Sequence, residues 1–114
     1  MENIDWQSLD FTCVKEVNPP LDREADQWYR TARNLQKKDE EKYYKEIFDF
    51  YIKAAERNHY KALIWLSTLY VDGIVVKADE RIAVEYVEKV IRLNVPAGYY
   101  QMGVFLEQGI GVKQ

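Results

Sequence analysis

The residues of this 114-residue chain best suited to chemistry are its one histidine, His59, and its one cysteine, Cys13. An imidazole that titrates near neutrality can serve as a general base, and a thiolate can serve as a nucleophile. Neither residue has the company that such work needs. No serine or cysteine nucleophile is tied to His59 by spacing, and a metal site asks for several ligands gathered together. Cys13 lies in an apolar stretch with no evident positive environment to stabilise a thiolate. His59 is therefore read as a structural turn residue, and Cys13 as a packed thiol. Glu85 and Glu88 stand three apart on an amphipathic segment and read as a solvated face. Gly98, Gly103, Gly109 and Gly111 lack the Gly-Lys-Ser/Thr ending of a phosphate loop and follow no strand, so they read as helix-packing and loop glycines. The expectation is no catalytic residue, no metal ligand, no cofactor and no enzyme. The competing class is a small-ligand carrier or enzyme, with His59 or Tyr99 and Tyr100 lining a pocket.

Composition narrows the partners. The chain is 47% hydrophobic, 14% aromatic and 31% charged, enough apolar content for one packed core. The formal charge is -3, with 13 acidic and 10 basic residues up to residue 60 and six of each after it. No basic stripe is available to displace phosphate counterions, so nucleic acid is excluded as a partner. The acidic run Asp39, Glu40, Glu41 and Glu46 could steer a basic partner, although such a run is more often a solvated helix face. A single cysteine allows no internal disulfide. The stretch Met1 to Asp10 lacks the basic end and apolar core of a secretory signal, and no run is long and apolar enough to span a membrane. The expectation is a cytoplasmic protein.

The elements follow from start and stop signals. Residues 1–21, with Trp6, Leu9, Phe11 and Val17 ahead of Asn18, Pro19 and Pro20, read as a non-helical arm that lies across the first helix pair. Asp22 opens a helix to about residue 36, with Ala25, Trp28, Tyr29, Ala32 and Leu35 at helical spacing. Asp39 is the expected cap of a second helix carrying Tyr43, Tyr44, Ile47, Phe50, Tyr51, Ala54 and Ala55 to about Asn58. A third runs from Tyr60 to Asp72 and stops at Gly73. Asp79 opens a fourth, which continues to about Leu93, and Pro96 a fifth that stops at Gly109.

Internal repetition is the strongest signal. Gly73-Ile74-Val75-Val76-Lys77 and Gly109-Ile110-Gly111-Val112-Lys113 share four of five residues at an offset of 36. The same offset pairs Leu66 with Met102, Ser67 with Gly103, Leu69 with Phe105, Tyr70 with Leu106 and Asn58 with Asn94. A weaker echo sets Ala25 and Trp28 over Ala62 and Trp65. The fold is expected to be all-α: stacked antiparallel helix hairpins over residues 22–57 and 60–93, then a half repeat over 96–114. A hairpin cannot bury its apolar stripe alone, so neighbours stack. Small residues at Ala62 and its counterpart Gly98, and at Ser67 and its counterpart Gly103, are expected to let helix backbones approach closely, with Tyr51, Tyr70 and Tyr86 filling the layers between.

The series Ala62, Leu66, Ser67, Tyr70, Gly73, Val76, Asp79 and Ala83 resembles the SEL-like repeat, a relative of the tetratricopeptide repeat. It recurs incompletely at Gly98, Met102, Gly103, Leu106, Gly109, Gly111 and Val112. The likeness is good from about residue 46 onward and loose over 22–45. Val75 replaces the usual second loop glycine, which predicts a tighter or differently turned first loop, and Leu106 replaces the usual tyrosine. The pattern stops one residue short of the next acidic cap, which predicts a piece of a longer protein or an open C-terminal flank through which copies could associate. The resemblance implies an α-solenoid without catalysis of its own, serving as an adaptor or scaffold in signalling or envelope assembly.

Ala54, Ala55, His59, Tyr60, Lys61 and Ala62, with Pro96, Gly98, Tyr99, Tyr100, Met102 and Gly103, also resemble short bacterial immunity proteins paired with secreted antibacterial effectors, as in type VI secretion. That likeness implies a protein partner, namely a toxin. On the first helix of each hairpin, the side turned from the packing positions carries Trp28, Trp65, Asp72, Tyr100, Gln101 and Gln108. These are the expected partner-binding residues of one concave groove, since tryptophan and tyrosine are common interface anchors. Both tryptophans could equally be core.

Overall fold

The computed structural model describes residues 20–111, which form five α-helices: α1 (Arg23–Asp39), α2 (Tyr44–Glu56), α3 (Tyr60–Asp72), α4 (Glu80–Arg92) and α5 (Pro96–Gln108). No strand occurs among the described residues. The expected arm, with Cys13, and the end of the last loop from Val112 lie outside them.

Local chemistry sets the helix ends. The Asp22 carboxylate accepts the Ala25 N–H at 2.9 Å, and the Asp79 carboxylate accepts those of Arg81 and Ile82 at 3.0 and 3.2 Å. Each satisfies amides that a helix start leaves without partners. Gly73 and Gly109 end α3 and α5 in the left-handed conformation, at φ 70° and 73°. Asn58 and Asn94, also 36 apart, take φ 60° and 62°, which their short polar side chains tolerate. The repetition read from the letters is thus present in the backbone.

One boundary departs from expectation. α1 runs to Asp39, and the Asp39 carboxylate accepts the Lys42 N–H at 3.1 Å within the turn that follows. Tyr43 occupies the N-cap of α2 without a side-chain bond. No glycine or proline lies between Leu35 and Tyr44, and Glu40 keeps helical angles, so the coil persists past the expected stop.

Consecutive helices pack against one another: α1 on α2, α2 on α3, α3 on α4 and α4 on α5. One core cluster joins the two hairpins through Ala25, Ala32, Ile47, Tyr51, Ala54, Ala62, Leu66, Leu69 and Val75. A second, of Ala83, Val87, Phe105 and Ile110, seats α5 on α4. Tyr70 and Tyr86 stack at 5.9 Å between α3 and α4. The two loops differ as the Val75 departure predicts. Val75 is buried in the first cluster, whereas Gly111 takes φ 70° and gives its N–H to the Glu80 carboxylate at 3.0 Å.

The two small-residue positions on α5 separate. A Cβ on Gly98 would lie 2.9 Å from both the Ile91 backbone nitrogen and Val90 Cγ1, so the close approach expected there is real. A Cβ on Gly103 would meet nothing within 4 Å. The expectation that Gly103 permits a close helix contact is therefore corrected. Its counterpart Ser67 is fully buried, but no described helix packs over Gly103.

Candidate protein-binding face

His59 and Asp26 form the couple most like a catalytic pair. The Nδ1 of His59 accepts the Ala62 N–H at 3.2 Å, capping α3, so the ring proton sits on Nε2 and is donated to Asp26 Oδ1 at 2.9 Å. The ring is 1% exposed and stacks on Tyr29 at 4.7 Å. Both nitrogens are occupied, so this imidazole takes a proton only by giving up its cap. Burial holds its pKa below the ordinary histidine value, against the pull of Asp26. The bond from His59 is the main reason that the Asp26 carboxyl is lowered in turn. The couple fastens α1 to the start of α3. The turn role was legible from the sequence, but Asp26, 33 positions away, was not.

The exposed chemistry lies beside this couple. Over Gln27 to Lys38, α1 carries Arg30, Arg33, Lys37 and Lys38 and no carboxylate. A shallow depression there is lined by Tyr29, Arg30, Arg33, Asn34 and Lys37. The Arg33 guanidinium lies 3.8 Å from the centre of the Trp65 ring and donates to Gln36 Oε1 at 3.1 Å. That oxygen also accepts the Tyr51 hydroxyl at 2.7 Å. Burial pushes the Tyr51 phenol up to about 12, so it stays a donor and helps to fix Gln36 under Arg33. A guanidinium held over an indole is ready to meet a carboxylate without first losing side-chain freedom.

The expected binding residues do not form one cluster. Trp28 and Trp65 are both half-buried against the first core cluster. Trp65 meets Arg33 of α1, whereas Trp28 meets Arg57 and Lys53 at the end of α2, at 4.7 and 5.8 Å. Positions 28 and 33 are five residues apart, roughly 140° around a helix, so the two indoles meet their cations on different sides of α1. Asp72 is exposed at the end of α3. On α5, Tyr100 is 75% exposed, Gln101 half-buried and Gln108 exposed. Arg33 was missed by a search for aromatic anchors. The carboxylate-free window of α1 is the signal that could have found it.

No protein-family model matches the chain, and no curated protein matches it. Solved structures do. The chain is similar to immunity proteins of Pseudomonas aeruginosa. Immunity protein Pa5087 shares 41% identity at a TM-score of 0.76, over 82% of this chain and 36% of that one. Immunity protein PA5088 shares 41% at 0.73, over 80% and 34%. Pseudomonas aeruginosa PA5086 shares 43% at 0.74, over 80% and 35%. The chain thus spans about a third of the length of these proteins. Among the described residues no helix is long and apolar enough to cross a membrane, and no group of three or more acidic, histidine or cysteine side chains is placed to hold a metal.

Proposed function

We propose that this chain is a protein-binding helical-repeat module of the SEL-like type that acts as an immunity protein, occupying the surface of a secreted antibacterial effector and so neutralising it. The observation that carries the reading is the similarity to two solved proteins named immunity proteins, at 41% identity and TM-scores of 0.76 and 0.73. The repeat at an offset of 36 supports the SEL-like assignment. The occupied nitrogens of His59 support action by binding rather than by catalysis. Trp65 under Arg33 is the leading anchor for the partner. Trp28, Asp72, Tyr100, Gln101 and Gln108 are further contact candidates, and the effector belongs to a type VI secretion system.

The test is protection. A sensitive bacterium expressing the toxin encoded beside this chain's gene is given the chain or an Arg33→Glu variant, with binding measured in parallel on purified proteins. Protection by the chain, with binding weakened about tenfold or more by Arg33→Glu, is expected. Absence of both binding and protection removes the immunity reading. Full binding by the variant removes Arg33 and Trp65 from the interface.

A further inference from the structure

On α1, Arg30, Arg33 and Lys37 recur at intervals of three and four, so they share one side of the helix. On α3, Lys61 and Trp65 are four apart and share a side in the same way. The Arg33 guanidinium over the Trp65 ring, at 3.8 Å, brings these two sides together. Carboxylates close to them are already engaged. Asp26 holds His59 and Arg30 at 2.9 Å each, and Glu40 accepts the Gln36 amide. Asp72 stands seven residues beyond Trp65, about 10 Å along the helix. Arg33, Lys37 and Lys61 are thus left without a carboxylate partner among the described residues, in a chain of net charge -3.

Arg33 is set for one kind of group. Its Nη1 donates to Gln36 Oε1 at 3.1 Å, whereas Nε and Nη2 make no hydrogen bond among the described residues. That edge of a guanidinium presents two parallel N–H donors, which match the two oxygens of a carboxylate. The depression around it is shallow, which suits a protein segment laid across the face better than an enclosed small molecule. Half-buried Trp65 offers apolar surface to the residues flanking such a carboxylate.

Two other occupants fit the layout less well. Residues 1–19 hold Glu2, Asp5, Asp10 and Glu16 against Lys15, but they join α1 at its acidic start, beside Asp22, Glu24 and Asp26. The cations lie in its second half. A repeat added after residue 114 would extend the stack from α5, at the opposite end of the helix series from α1.

We propose that the partner meets this face with an acidic segment, one carboxylate of which binds the Nε–Nη2 edge of Arg33 while its neighbours meet Lys37 and Lys61. The effector as source of that segment rests on the immunity reading; the chemistry of the face does not.

Two probes separate the readings. The first is a 15-residue peptide of alternating glutamate and leucine, with a glutamine-for-glutamate twin, titrated to about 1 mM against the Trp65 indole N–H signal in NMR. The acidic peptide is expected to move that signal in the native chain and not in Arg33→Lys, which keeps the charge but loses the two-donor edge; the twin should leave it in place. No movement, or equal movement by both peptides, overturns the proposal. So does a shift of the signal, with no peptide present, when Glu2, Asp5, Asp10 and Glu16 are changed to their amides, since the chain's own arm would then hold the face. The second probe is the purified toxin encoded beside this chain's gene. Its affinity is expected to fall about tenfold with Arg33→Lys, and its association to slow with Lys37→Glu or Lys61→Glu and with added salt. Tight toxin binding that ignores all three substitutions overturns the proposal and leaves the immunity reading standing. A toxin that fails to bind, with the peptide shift intact, removes the immunity reading and leaves the acidic-segment specificity.

Discussion

Replacing His59 by alanine probes the junction on which the stacking of the two hairpins depends. Three interactions are lost together: the cap on the Ala62 N–H at 3.2 Å, the bond to Asp26 at 2.9 Å, and the stack on Tyr29 at 4.7 Å. The cap contributes about 1 kcal/mol. The bond to an ionised carboxylate would contribute about 1.5–3 kcal/mol, and the lower end applies because Asp26 is partly exposed and keeps Arg30 at 2.9 Å. Emptying a ring-sized buried site adds about 1 kcal/mol at least. The sum is about 3–4 kcal/mol, a large share of the roughly 5–15 kcal/mol typical of a whole domain. Asparagine keeps the cap but cannot span to Asp26, so His59→Asn should fall about 1 kcal/mol short of that loss.

The same geometry predicts a pH dependence. Burial lowers the folded pKa of His59 below the unfolded value of 6.5, so the unfolded chain binds the proton more readily. Its contribution is complete above about pH 6.5 and declines as pH falls toward the folded pKa, at up to about 1.4 kcal/mol per pH unit. The lowered Asp26 adds a second loss in the same direction, below its ordinary 3.8. Urea unfolding followed by circular dichroism, repeated from about pH 7.5 to 5.5, measures the cost of the substitutions and the histidine decline. The reasoning is refuted if His59→Ala costs under about 1 kcal/mol, or if the wild-type chain shows no decline over that range while the asparagine variant behaves identically.

Two further substitutions read the packing. Gly98→Ala drives a methyl against the Ile91 backbone and Val90, and should cost about 1–3 kcal/mol in urea unfolding; Gly103→Ala meets nothing and should stabilise α5 by about 0.5–1 kcal/mol. Opposite signs for the same chemical change on one helix are the expected outcome, and equal signs would contradict the assigned faces. For Tyr51, burial lifts the phenol to about 12, so the contribution of its neutral form is complete below about pH 10 and is lost as pH rises beyond that. An alkaline titration followed by tyrosinate absorbance should show a late step that Tyr51→Phe removes.

Much of this molecule is written in short stretches of its chain. Asp22, Asp79, Pro96, Gly73 and Gly109 mark helix ends through bonds and backbone angles that reach only a few residues along the chain, so their meaning does not wait on the rest of the fold. The repeat at an offset of 36 then implies like hairpins that must lean on one another. The end of α1 resisted the same reading, because no residue between Leu35 and Tyr44 forces the coil to stop.

Only the tertiary arrangement decided which faces meet. His59 was recognisable as a turn residue, yet its partner Asp26 and its stacking ring Tyr29 arrive from another helix. Trp28 and Trp65 look equivalent in the sequence, and the structure gives them different cations on different sides of α1. Gly98 and Gly103 are the same residue five positions apart on one helix; one is pressed against α4 and the other faces open space. A helix turns through about 100° per residue, so the letters place a side chain along the axis far better than around it, and what it touches depends on where neighbouring helices come to rest.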